Sequence, residues 1–327
     1  MTSFSRRQLL LTAVALTALA PVATSLLAPG AAYAQAVTTL KIGFQKTNLP
    51  VIAQQQKSIE TALDPLGVGV EWVEFSAGPP LVEALNVGAI HLGWTGDAPP
   101  IFGQSAGAAI SYIAALPANG LGEAIIAKSG TGINTPADLK GRKVAVGKGT
   151  SSHNLLVAAL EANGLKLDDI EVVYLSPADA GAAFASDAVD AWAIWDPFLA
   201  IAEVQHKPTV LVRATDVIKV NTYFLGNAAF ATEPANAPVI EKTIAALASS
   251  AAWADANRDK VAEALHEVTG VPLAAQQLAA DRAEFGIFPL TPEIIAGQQI
   301  TADRFFGLGL IPTAIKVQDA VWTAPKG

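Results

Sequence analysis

Residues 143–154 read Lys143-Val144-Ala145-Val146-Gly147-Lys148-Gly149-Thr150-Ser151-Ser152-His153-Asn154. The opening apolar run is too short for a helix and predicts a strand, which Gly147 and Gly149 then break. Three consecutive hydroxyl residues follow, and a helical pattern continues to Asn163. A single hydroxyl suffices to cap a helix, so three of them point to a ligand at the junction. Strand, polar turn and helix recur on either side of this stretch. Strands are predicted at 40–44, 70–75, 91–94, 110–115, 123–127, 143–146, 171–175, 191–195 and 210–213, with helical patterns between them such as 81–87, 154–163 and 178–184. That alternation is the signature of α/β layers with mostly parallel sheets.

The C-terminal third changes character. Helical patterns cover 239–257, 259–268, 273–284 and 292–308, with a short piece near 315–321. Gly270, Gly286 and Gly309 supply stops, with Pro272, Pro289 and Pro312 soon after. Strands first and helices later suggest two sheet lobes, with the tail returning to the first. Thr135, Pro136 and Gly141 punctuate a short helix just before the 143–146 strand.

In open α/β sheets ligands bind where a strand's C-terminal end meets a helix N-terminus, and the free N–H groups there favour anions. Two further junctions share the design of residues 143–154. In Gly93-Trp94-Thr95-Gly96-Asp97-Ala98-Pro99-Pro100, Thr95 offers a hydroxyl and Gly96 allows close backbone approach. Asp97 reads first as a helix cap. In Trp192-Ala193-Ile194-Trp195-Asp196-Pro197-Phe198, period-two alternation sends Trp192 and Trp195 to opposite faces. Trp192 suits the core and Trp195, at the strand end, a ligand.

Composition narrows the partners. The chain has 21 basic and 29 acidic residues; Arg6 and Arg7 lie in the leader, so the remainder carries 19 against 29, a net charge of −10. Nucleic acid is excluded as a partner, because phosphate binding needs basic surface. The absence of cysteine removes disulfides, thiolate nucleophiles, zinc–thiolate sites and a lipidated cysteine. At the N-terminus, Arg6-Arg7, an apolar run to about Ala28 and Ala32-Tyr33-Ala34 predict a cleaved export leader over residues 1–35, of twin-arginine type, cut near Ala34. About 290 residues remain, enough for one large domain or two lobes.

Catalytic readings fare poorly. Gly103-Gln104-Ser105-Ala106-Gly107 fits the G-x-S-x-G nucleophile pattern, but it ends a predicted helix and precedes a strand, the reverse of the required order. A secreted serine hydrolase is therefore the remote alternative. A phosphate-binding P-loop fails on the spacing from Gly141 to Gly147 and on Gly149 after Lys148. His91, His153, His206 and His266 stand singly, so neither a metal nor any other cofactor is expected.

Phe44-Gln45-Lys46, the run from Glu74 to Gly88, Thr95–Phe102, Ala191–Phe198 and Gly309-Leu310-Ile311-Pro312 together resemble the aliphatic-sulfonate-binding proteins of ABC importers. The likeness spans essentially the whole chain after the leader. It implies a two-lobed type II periplasmic binding protein with a ligand cleft between the lobes, lobe one at 36–124 plus 230–327 and lobe two at 125–229. It implies no enzyme activity, a periplasmic monomer, a sulfonate-type anion as ligand and an inner-membrane ABC permease as partner. Alkyl sulfate, taurine or nitrate are the alternative ligands. Carried over, the binding positions are Gln45, Thr95, Gly96, Thr150, Ser151, Ser152 and Trp195, with Asp97, His153 and Asp196 as secondary candidates. The anion would rest on helix N-termini from both lobes, with Thr95 and Ser152 acting across the cleft. Two departures from the family pattern predict an altered ligand range. The 46–50 loop is short and stiffened by Pro50, and Gly181 stands where the family commonly has an arginine that could reach the cleft.

Overall fold

The computed structural model describes residues 37–47 and 49–325, so the predicted leader lies outside the described residues. The chain opens with β1 (Thr39–Phe44), α1 (Leu49–Gln56), α2 (Ser58–Leu63) and β2 (Gly69–Glu74). Next come α3 (Gly78–Asn86), β3 (Leu92–Gly96), α4 (Ala98–Ser105) and β4 (Ile110–Ala118). A second series contains β5 (Glu123–Ala127), β6 (Lys143–Val146), α5 (Ser151–Ala162), β7 (Glu171–Tyr174) and α6 (Pro177–Ala185). It continues through β8 (Ala191–Trp195), α7 (Phe198–His206) and β9 (Thr209–Arg213). After β10 (Val220–Asn227) and the short α8 (Ala228–Thr232) the chain is helical: α9 (Ala237–Ala256), α10 (Arg258–Thr269), α11 (Leu273–Arg282) and α12 (Pro292–Gly307).

The strands form two sheets, ordered β2-β1-β3-β10-β4 and β7-β6-β8-β5-β9. Pairing is parallel among β1, β2 and β3 and among β6, β7 and β8, whereas β10 and β5 run antiparallel to both their neighbours. Central strands are covered on both faces and read as unbroken apolar runs, as parallel-sheet strands do. In β5, Ile125 packs with Val144 and Leu155 towards α5. Its neighbour Ile126 turns to the other face, against Phe184, Trp192 and Leu199. The first sheet is sandwiched in the same way. Leu40, Ile42 and Phe44 face α1, α9 and α10, while Tyr112, Tyr223 and Leu225 meet Leu81, Ile101 and Phe305.

The predicted strands at 123–127, 143–146 and 191–195 and the helical C-terminal block are all present. One strand was absent from the sequence reading. β10 sits between β3 and β4 and commits Val220–Asn227 to the first sheet. Of residues 125–229, expected for lobe two, the stretch from Val220 pairs with strands of the first sheet. Asn221, Gly226 and Asn227 blur the apolar signal of this strand, although residues 223–227 are all buried. β4 also runs past Ala115 through Pro117. Proline is tolerated because β4 is an edge strand, so its missing N–H breaks no ladder on the free side. The tail returns to the same edge, where the Trp322 N–H donates to the Tyr112 carbonyl at 2.8 Å.

Candidate functional site

A cleft of about 140 Å3 opens at the C-terminal ends of β1, β3 and β8. Its first wall carries Gln45 after β1, Trp94, Thr95 and Gly96 at the end of β3, and Gly78 at the start of α3. The opposite wall carries Glu123, Thr150, Ser151, Trp195 and Asp196. Chain crossings at Ala118–Glu123 and Val220–Thr222 close one side, and Gln276, Arg282 and Phe285 close another.

On the first wall Thr95 is 1% exposed, and its hydroxyl has no hydrogen-bond partner among the described residues. The Trp94 indole N–H is likewise buried and unpartnered. Leaving a buried donor unsatisfied costs about 1–3 kcal/mol, so such groups call for an external partner. Gly78 makes room for Thr95, since a Cβ there would lie 2.0 Å from Thr95 Oγ1. Gln45 is steered by donation from Nε2 to the Trp94 carbonyl at 3.3 Å. Gly96 sets how closely the walls meet, because an added Cβ would fall 2.9 Å from Ser151 Cβ.

The helix ends refine the expected geometry. Asp97 caps α4, accepting from the Ala98 N–H at 2.7 Å. Its other oxygen accepts from Asn154 of α5 at 2.7 Å, and its carbonyl accepts from Gln298 at 2.6 Å. Burial raises its pKa to about 6, against those hydrogen bonds. Asp97 is thus a tie between α4, α5 and α12 and lies outside the cleft lining. The N-termini that reach the cleft belong to α3, through Gly78, to α4, through Pro99, and to α5, through Ser151. At α5, Thr150 occupies the cap position, but its hydroxyl turns back to the Gly147 carbonyl at 2.7 Å. Ser151 faces the cleft. Ser152 is fully buried and donates to Glu123 Oε1 at 2.7 Å.

His153 departs from its expected place. It is fully buried among Phe102, Tyr174 and Phe305, with the Gly149 N–H donating to Nδ1 at 3.3 Å. Burial, helped by Lys148, lowers its pKa to about 4, so it is a neutral core group away from the cleft. Trp192 packs against Phe184, while Trp195 lines the cleft with its ring edge-on to Phe198 at 6.2 Å. Asp196 lines the cleft too, but both its oxygens accept from Arg282, at 2.6 and 2.7 Å. Gly181 is not at the cleft. It borders a separate depression with Phe198 and His206, where an added Cβ would meet the Trp192 ring at 3.4 Å. The 46–50 loop does border the cleft through Thr47, and Pro50 falls in the first turn of α1, a position proline favours.

Glu123 and Arg282 carry no local signature and were missed from the sequence. Burial pushes the Glu123 carboxyl up to about 7, with Asp97 adding to the shift and the Ser152 and Ser151 hydroxyls opposing it. Arg282 is the one basic residue among the described residues lining the cleft. Burial works against its charge, yet hydrogen bonds and attraction from Asp196 and Glu203 outweigh that and raise its pKa. It bridges α11 to both acids across the cleft, while Arg213 also bonds Glu203 at 2.9 Å. Ser105 donates to the Thr313 carbonyl and accepts from the Thr313 N–H at the end of α4, with no turn that would present it as a nucleophile. Among the described residues no group of three or more His, Asp or Glu side chains could hold a metal ion, and no helix is long and apolar enough to cross a membrane.

Comparison with known proteins follows the same lines. A profile of the NMT1/THI5-like family matches residues 66–261. An Escherichia coli (strain K12) protein described as aliphatic sulfonates-binding is 39% identical over 86% of this chain and 88% of its own length. Among solved structures, the alkanesulfonate-binding protein SsuA of Xanthomonas axonopodis pv. citri, bound to MOPS, superposes with a TM-score of 0.82 at 37% identity, covering 88% of this chain and 99% of that one. The periplasmic aliphatic sulphonate-binding protein SsuA of Escherichia coli gives a TM-score of 0.80 at 38% identity, covering 89% and 94%.

Proposed function

This chain belongs to the NMT1/THI5-like family, among its aliphatic-sulfonate-binding members, and from that premise we propose that it captures a sulfonate-type organic anion for an ABC importer. The observation that carries the reading is the Thr95 hydroxyl, buried at the cleft with no partner among the described residues. A sulfonate oxygen would satisfy it. Gln45, Thr95, Gly96, Thr150 and Ser151 form the polar end of the proposed site, at the N-termini of α3, α4 and α5. Trp195 covers the organic tail. About four hydrogen bonds to a charged group, at ~1.5–3 kcal/mol each, supply ~6–12 kcal/mol. Micromolar binding needs about 8 kcal/mol after the costs of association. The lone cleft arginine is already neutralised by two carboxylates, so neutral donors carry the anion.

Delivery fits a periplasmic monomer that hands its ligand to an inner-membrane permease and performs no chemistry on it. The leader of residues 1–35 would direct export by the twin-arginine route, with cleavage near Ala34. Replacing Arg6 and Arg7 by lysine should then trap precursor in the cytoplasm, and undiminished periplasmic protein would reject that route. The test of the main reading is calorimetry with alkanesulfonates, alkyl sulfates, taurine and nitrate. Sulfonates should bind tightest and be recovered unaltered. Tighter binding of nitrate, or release of sulfite, would overturn it.

A further inference from the structure

Glu123 opens β5 opposite Trp195 in the sheet register, and it lines the cleft while only 5% exposed. An anion site is a hostile place for a carboxylate, and nothing in the binding scheme above uses one. The charges around it make ionisation worse. From α4 comes Asp97, held by Asn154, and from the end of β8 comes Asp196. Arg282 of α11 is committed to Asp196 and Glu203, and Arg213, beside β5 in the sheet, is committed to Glu203 and the Leu121 carbonyl. From α5 come only the Ser151 and Ser152 hydroxyls and the neutral His153, while Lys148 sits over the Tyr174 ring. Glu284 at the cleft margin adds another acid. No cation among the described residues forms an ion pair with Glu123.

Resting on the anion reading, we propose that Glu123 takes part in capture as a neutral carboxylic acid donating a hydrogen bond to the ligand, so that sulfonate binding draws a proton from solvent into the cleft, approaching one per ligand as pH rises above neutral. The Ser152 hydroxyl occupies Oε1 at 2.7 Å, and a proton on the other oxygen would point the group at the anion as a donor. Burial already raises the free carboxyl to about 7, so the protonated form is well populated before ligand arrives. A bound anion repels only the ionised form and raises the group further. Proton uptake follows from that difference between free and loaded protein.

The test is calorimetry with ethanesulfonate from pH 5.5 to 9, in acetate, phosphate and Tris, because sulfonate buffers would compete. Affinity should be flat below about pH 6 and fall by up to about tenfold per pH unit above 7. Two buffers of different ionisation enthalpy at pH 8 should report close to one proton taken up per ligand. Glu123→Gln should abolish both the uptake and the decline. A flat profile without proton uptake in the wild-type protein would overturn the proposal even if Glu123→Gln failed to fold. Taurine binding more tightly as pH rises through 7 would overturn it too, since Glu123 would then serve as an anion for an ammonium group. No sulfonate binding at any pH, including 5.5, would instead reject the ligand reading itself and the proposal with it.

Discussion

On the wall built from β3 and α3, Thr95 Oγ1 and the Trp94 indole N–H are buried with no partner among the described residues, whereas across the cleft Ser152 donates to Glu123 and Asp196 grips Arg282. One wall leaves its polar groups unmet and the other satisfies them within the protein. Unmet donors are a standing cost that a ligand can refund, so the first wall is where binding energy is gained. The second wall spends its polar groups on ties. Asp196 and Glu203 of the β8–α7 unit reach Arg282 of α11, and Asn154 of α5 reaches Asp97 of α4. These ties set how the two sheets meet around the cleft, and Gly96 lets that meeting be close.

The largest effect expected from this contrast is on the tied wall. Arg282→Ala leaves Asp196, with its side chain 10% exposed, and Glu203 without their shared cation. Removing one partner of a buried pair typically costs about 3–5 kcal/mol. Urea denaturation without ligand should show a loss of that order, with Asp196→Asn in the Arg282→Ala background recovering part of it. A loss under about 1 kcal/mol would mean the network is ornamental and the contrast between walls is wrong.

A smaller and sharper test sets Thr95→Ala beside Ser152→Ala. Thr95→Ala removes a buried unmet hydroxyl and a buried methyl, two effects of opposite sign, so unliganded stability should stay near that of the wild type while sulfonate binding weakens by about 1.5–3 kcal/mol, roughly 10- to 150-fold. Ser152 points at Glu123 instead of the cleft, so its loss should fall mainly on stability, by about 1–3 kcal/mol. Paired denaturation and calorimetry read both quantities. If Ser152→Ala loses more affinity than Thr95→Ala, the walls have been assigned the wrong way round.

The sequence showed the outline of this molecule wherever the signal was local. Strands and helix starts at 143–163 and 191–198 were readable because glycines, hydroxyls and prolines punctuate them. Thr95, Gly96, Ser151 and Trp195 followed from the rule that ligands gather at strand ends, and the structure brings them to one cleft. What stayed hidden is long-range. Asp97, Ser152 and His153 sit in the right segments, but the direction of each side chain depends on Asn154, Glu123 and Phe305, which lie on other turns or elements. Arg282 is one charge in a polar helix until the fold brings Asp196 to it from 86 positions away. Strand β10 was lost because polar residues and a glycine interrupt a run whose burial comes from both neighbouring strands.

The smallest effect belongs to Gly181, where the family resemblance had suggested a change in ligand range. Its Cα lies on α6, and a side chain there would leave against the Trp192 ring, 3.4 Å from Cη2, on the face of β8 that carries Ile194 and packs against Phe184 of α6. No α6 residue lines the cleft among the described residues. An arginine would gain helix propensity of about 1 kcal/mol and could stack on the indole for roughly 0.5–1 kcal/mol more. Gly181→Arg should therefore raise the melting temperature slightly and leave the affinities for ethanesulfonate and MOPS within about twofold. One route from that contact to the cleft runs along β8, from Trp192 to Trp195, and strand geometry sends successive side chains to opposite faces. A change in the ratio of those two affinities beyond about threefold would show that β8 shifts as a unit. Trp195 would then have to be treated as a wall whose position is set from behind, by the packing on Trp192.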